Sequence, residues 1–126
     1  MRTSAEPRRR HGLARSFGYA LAGLAQSWRA QPNLRIHVAL AVLSLSVGAV
    51  VRLPPLGWAV LALACSTVIG AELFNTALEA LVDLVSPQDH PLARRAKDAA
   101  AAAVLVVSGG AVAVGGALAV YVLVRP

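Results

Sequence analysis

At 126 residues the chain is the size of one small domain, and 57% hydrophobic residues with a mean hydropathy of +0.63 exclude an ordinary soluble fold of that size. Twelve Lys and Arg stand against six Asp and Glu, but the excess is local: Arg2, Arg8, Arg9, Arg10, Arg15, Arg29 and Arg35 all precede the first long apolar run. Placed there, they set membrane topology and attract anionic lipid, so no nucleic-acid partner is expected.

Residues 1–12 are Arg-rich, contain Pro7 and show no apolar period; they read as a disordered basic cytoplasmic tail. Without an apolar core in residues 1–10 no signal peptide is expected, and the later apolar runs are expected in the mature protein. From Leu13 the pattern becomes helical. Leu13, Phe17, Ala20, Leu21, Leu24 and Trp28 share one side while Arg15, Gln26 and Arg29 fall on the other. This predicts an amphipathic helix in the membrane interface; the same pattern also fits a helix packed on a soluble partner.

Gln31-Pro32-Asn33 breaks that helix, because Pro cannot continue a backbone hydrogen-bond ladder. Residues 34–53 then supply a first span, twenty residues being enough to cross a hydrocarbon core of about 30 Å. Arg35 and His37 fall in its first turn, where Arg snorkels to the headgroups and His37 reads as an interfacial polar residue rather than a metal ligand. Pro54-Pro55 predicts a tight turn. The second span covers 56–85, and its stretch from Leu56 to Ala71 has no charge, about 24 Å of helix. Cys65 within it is the only cysteine, which excludes a disulfide framework and a thiolate metal site and leaves a small packing residue.

Ser86 to Pro91 reads as a loop. The third span, 97–124, opens with Lys97 and Asp98 just after Arg94 and Arg95 and is uncharged from Ala99 to Val124. Gly109, Val112, Ala113 and Gly116 share a face of it and predict a seam against another helix. The expected fold is thus an all-α integral membrane protein, with an N-terminal amphipathic helix and three transmembrane helices forming one domain over 13–126. All basic residues except Arg52 and Arg125 lie in the N-terminal region or between spans two and three. Both regions, and with them the N-terminus, are therefore expected in the cytoplasm.

The residues that ask for a function are Glu72, Asn75, Glu79 and Asp83. Spaced by three, four and four, they occupy an arc of about 80° on the second span. Counting from Leu56 puts Glu72 at the cytoplasmic edge of the membrane, with Glu79 and Asp83 about 10 and 16 Å further out, beside Lys97 and Asp98. Carboxylate and amide oxygens are hard ligands for Mg²⁺, Lys neutralises phosphate, and a carboxylate can deprotonate an attacking hydroxyl. These are parts for phosphoryl transfer from ATP, although a proton or cation pathway uses similar residues. No P-loop, Gly-rich kinase loop or His-Arg-Asp signature is present, which excludes a soluble kinase fold.

The run Glu72-Leu73-Phe74-Asn75-Thr76-Ala77-Leu78-Glu79-Ala80-Leu81-Val82-Asp83, followed by Ala96-Lys97-Asp98, resembles the small prokaryotic diacylglycerol kinases, which include undecaprenol kinases. The likeness extends upstream through Phe17-Gly18-Tyr19-Ala20, Trp28 and Asn33-Leu34-Arg35-Ile36-His37. It implies a homotrimer in the bacterial inner membrane, with sites shared between subunits, that phosphorylates a lipid alcohol with Mg²⁺ and ATP. By position, Glu72 resembles the carboxylate acting on the lipid hydroxyl, and Asn75 a supporting polar residue beside Asp83. Glu79 resembles the Mg²⁺ ligand at the nucleotide, Lys97 and Asp98 the nucleotide contacts, and Tyr19 a nucleotide-site aromatic. One departure stands out: the family's second metal-binding glutamate aligns with Gln31, an amide without charge. The Asn33 to His37 segment looks more like the undecaprenol kinase branch than the diacylglycerol branch. Two other readings compete: a small proton-coupled cation or multidrug transporter using an intramembrane Glu, and a packing subunit of a larger complex.

Overall fold

A computed structural model describes residues 12–125; the tail expected over 1–12 lies, but for Gly12, outside the described residues. These form four helices and no strand: α1 (Leu13–Ala30), α2 (Pro32–Val50), α3 (Pro55–Val85) and α4 (Pro91–Val124). The last three are long and apolar enough to cross a membrane. The 34–53, 56–85 and 97–124 spans are thus present with shifted ends, and the chain is a multi-pass membrane protein.

Proline sets the start of each span. Pro32, Pro55 and Pro91 each occupy the first helical residue, where the missing N–H has no intrahelical partner and the fixed φ suits the helix. For α4 this moves the start six residues upstream of the predicted Lys97, and the His90 Nδ1 caps it by accepting the Leu92 N–H at 3.2 Å.

The α2–α3 turn falls at Val51–Arg52, ahead of the two prolines. Leu53 N–H donates to Gly48 O at 3.1 Å and Arg52 N–H to Ala49 O at 3.2 Å, the paired bonds of a Schellman ending. Arg52 holds the left-handed conformation, φ 53°, that Gly usually takes there. Its reward is that Leu53 folds back and is buried over Gly48. A Cβ at Gly48 would lie 3.0 Å from Leu53 Cδ1 and 3.2 Å from Leu61 Cδ2. The Arg125 side chain closes this end, donating from Nη1 to Arg52 O at 3.1 Å and from Nη2 to Val51 O.

α3 carries the core seam. Gly57, Leu61, Val68, Glu72 and Asn75 are its buried residues, separated by four, seven, four and three, the spacing of one inward stripe. It meets Leu34, Ala41 and Gly48 of α2 and Val104 of α4. Several hydroxyls on the spans are satisfied locally, Ser44 by Leu40 O at 2.8 Å and Thr67 by Leu63 O at 2.6 Å, as hydrocarbon demands, whereas Ser108 Oγ on α4 is buried without a partner.

Among the described residues the glycine face expected on α4 meets no helix. Gly109, Val112, Ala113 and Gly116 are all exposed, and a Cβ on Gly109 or Gly116 would meet nothing within 4 Å. The inward face is offset, running through Val104, Val107, Ser108, Ala111, Val114, Leu118 and Val122, which are buried or half-buried. α1 buries no residue: Leu13, Phe17, Leu21, Leu24 and Trp28 of its apolar side are exposed.

Candidate active site

Along α3 the seam changes character at Glu72. Below it the inward residues are Gly57, Leu61 and Val68; from it onward they are Glu72, Asn75 and Glu79, with exposure rising from 3% at Glu72 to 9% at Asn75 and further at half-buried Glu79 and exposed Asp83. One helical face therefore leads from a closed apolar layer out to open solvent.

Asn75 Nδ2 donates to Glu79 Oε1 at 3.1 Å, one turn on, and this steers the Glu79 carboxylate along the stripe. Asn75 Oδ1 is buried without a hydrogen-bond partner. An unpaired buried acceptor is costly, so Oδ1 is a ready acceptor for a hydroxyl or water. Thr76 turns its hydroxyl to Glu72 O at 2.9 Å. Across the seam, His37 Nε2 lies 4.0 Å from Glu72 Oε2. Sequence alone placed His37 at the interface and missed this meeting; the signal was its spacing of three and four from Leu34 and Ala41, both buried.

Further out, Lys97 Nζ binds Asp83 Oδ1 at 2.5 Å and ties α4 to α3. The pair borders a cleft of about 630 Å³ that includes Ser86, Gln88, Asp89, His90 and Arg94. The structure thus brings Glu72, Asn75, Glu79, Asp83 and Lys97 to one end of the bundle. Asp98 is exposed beside Lys97. Gln31 is half-buried at the α1–α2 junction, with its backbone N–H on Ser27 O. Tyr19 is on α1 and 61% exposed.

Among the described residues no three His, Cys, Asp or Glu side chains converge as a closed metal cage. A magnesium ion shared with nucleotide phosphates does not require one, since it takes one or two carboxylates and keeps several waters. Glu79 fits that demand: Asn75 engages one of its oxygens and the residue is half-buried.

The helix that carries this stripe lies within a match to a protein family. Residues 18–119 match the prokaryotic diacylglycerol kinases. The chain belongs to that family. It is 45% identical over 104 residues to a diacylglycerol kinase of Synechocystis, covering 82% of this chain and 59% of that relative. It is 40% identical over 92 residues to an undecaprenol kinase of Bacillus subtilis (73% and 75%) and 33% identical over 94 residues to a diacylglycerol kinase of Helicobacter pylori (75% and 73%). The chain thus spans less than two thirds of the Synechocystis relative and about three quarters of the other two. The matched relatives are kinases by name, of diacylglycerol and of undecaprenol. The transporter reading finds no support, because the matched relatives are kinases.

Proposed function

We propose that the protein transfers the γ-phosphoryl group of ATP to the hydroxyl of a membrane lipid alcohol at the cytoplasmic surface, with undecaprenol favoured over diacylglycerol. The observation that carries this reading is the Glu72 carboxylate, 3% exposed at the point where the α3 seam passes from apolar to polar. A lipid alcohol keeps its chain in hydrocarbon and its hydroxyl at the boundary, and Glu72 is the carboxylate at that boundary.

Glu72 accepts the hydroxyl proton as the lipid oxygen attacks phosphorus. Asn75, with Oδ1 unpaired, orients the hydroxyl and also steers Glu79. Glu79 would hold Mg²⁺, with Gln31 as a neutral second donor, and the ion would supply charge neutralisation on the phosphates. Lys97 and Asp98 contact the nucleotide, Asp83 holds Lys97 in place, and Tyr19 lines the nucleotide site from α1. The cleft between Asp83 and Arg94 is large enough to take part of the nucleotide.

Two features support a trimer in which neighbours complete the sites. The three spans leave much apolar surface exposed, and the Gly109–Gly116 face of α4 is open to close approach by another helix. α1, exposed along its apolar side, lies in the interface. The choice of lipid rests on Asn33 to His37 and on the likeness to the Bacillus relative.

The deciding experiment gives purified protein in mixed micelles ATP labelled at the γ-phosphate, with undecaprenol and diacylglycerol in parallel. Label should enter undecaprenol more than diacylglycerol, and chelation of Mg²⁺ should stop it. Absence of label in both lipids, with Glu79→Gln behaving as wild type, would refute lipid phosphorylation; equal or greater labelling of diacylglycerol would refute the lipid preference.

A further inference from the structure

Glu72 is the most enclosed charged residue among those described, and it lacks a conventional counter-ion: no Lys or Arg nitrogen of the described residues lies within 4.0 Å of its carboxylate. What faces it is His37 Nε2, 4.0 Å from Oε2, on a side chain 20% exposed. α2 dictates the meeting. Leu34 and Ala41, three residues before and four after His37, are 0% and 9% exposed, so the imidazole sits on the helix face that packs against α3.

A general base must present a defined oxygen to the hydroxyl it deprotonates. We propose that His37 is the positioning residue for Glu72: its Nε2–H is directed at Oε2, which fixes the carboxylate and leaves Oε1 to the lipid hydroxyl. This rests on the reading of Glu72 as the base. The 4.0 Å separation exceeds a hydrogen bond, and contacts between a base and its orienting group commonly tighten only when substrate is bound. In the transfer, Oε1 takes the hydroxyl proton while the lipid oxygen bonds to the γ-phosphorus. The bond from that phosphorus to the bridging oxygen breaks, ADP leaves with its electron pair, and the proton passes from Glu72 to water.

The other groups around the pair do not replace His37. Asn75 and Glu79 follow one and two turns along α3 and engage each other. Arg35 is exposed on α2, and Lys97 of α4 is bound to Asp83. α1 brings no cationic nitrogen within 4.0 Å of the Glu72 carboxylate.

The test compares the full chain with His37→Leu and His37→Gln, recording kcat and the KM for ATP, with helix content and thermal unfolding measured alongside. Leu fills the seam but donates nothing, so its kcat should fall about 100-fold, the scale of acid–base effects, with the KM for ATP within about two-fold. Gln restores an N–H donor and should recover about ten-fold of that loss. Wild-type kcat in a folded His37→Leu, or a kcat in His37→Gln no higher than in His37→Leu, would overturn the assignment. If His37→Leu fails to fold, His37→Phe takes its place as the variant without a donor. Wild-type activity in Glu72→Gln would instead remove the base itself, a failure of the proposed function that the His37 variants cannot mimic.

Discussion

The two ends of the bundle treat polar groups in opposite ways. At the α2–α3 turn, backbone carbonyls that a helix leaves unpaired are met by the Schellman bonds of Arg52 and Leu53 and by the Arg125 guanidinium, while Leu53 plugs the gap over Gly48. At the other end, Asn75 Oδ1 is buried and unpaired and Glu72 has only a distant imidazole. Stability could be improved at the second end by replacing these groups with apolar ones, as buried polar groups without partners are costly. Of the two ends, only the second bears that cost, which marks it as the working one.

Substitutions should separate the ends. The largest expected effect is at the open end: Glu72→Gln should lower kcat by about 10²–10⁴, the range for loss of a general base, with thermal unfolding in detergent unchanged or slightly improved. Next is Gly48→Leu at the sealed end. Its side chain must displace Leu53 and Leu61, an overpacking effect of about 1–3 kcal/mol, visible as a lower Tm while kcat at low temperature is retained. Arg125→Ala removes two donors to the α2 terminus and should cost about 1 kcal/mol, read in the same unfolding measurement. The smallest effect is a gain. Arg52→Gly relieves a left-handed residue and should stabilise by at most about 1 kcal/mol, with no change in activity. If Arg125→Ala or Gly48→Leu abolished turnover without unfolding the protein, the division between a sealed end and a working end would fail.

Much of this was legible in the sequence because it is local. An apolar run of a given length spans a membrane whatever packs on it, prolines mark helix starts, and residues three and four apart share a face, so the spans and the Glu72 to Asp83 stripe could be read directly. What escaped depends on register between helices. His37 meets Glu72 across thirty-five positions, and Arg125 reaches Val51 and Arg52 across more than seventy; no periodicity within one segment encodes either contact. The neighbour of the α4 glycine face stayed hidden for a related reason. Small residues show where a helix can be approached, not which neighbour approaches, and within this chain α3 packs on the face beside it. Arg52 escaped differently: its left-handed turn is a site where Gly is expected, and two prolines just after it offered a more obvious place to bend.

The unbroken length of α3 has a consequence of its own. Its thirty-one residues extend about 46 Å, longer than the hydrocarbon is thick, and no Pro or Gly interrupts the stretch from Ala71 to Val85. The chemical groups therefore sit at heights fixed by covalent counting from Pro55, like marks on a rod. One residue added between Leu56 and Ala71 would lift every carboxylate by about 1.5 Å and swing it by about 100°, off the face shared with α2. The protein thus measures the depth at which a lipid hydroxyl must present itself by the number of residues that separate the turn from Glu72.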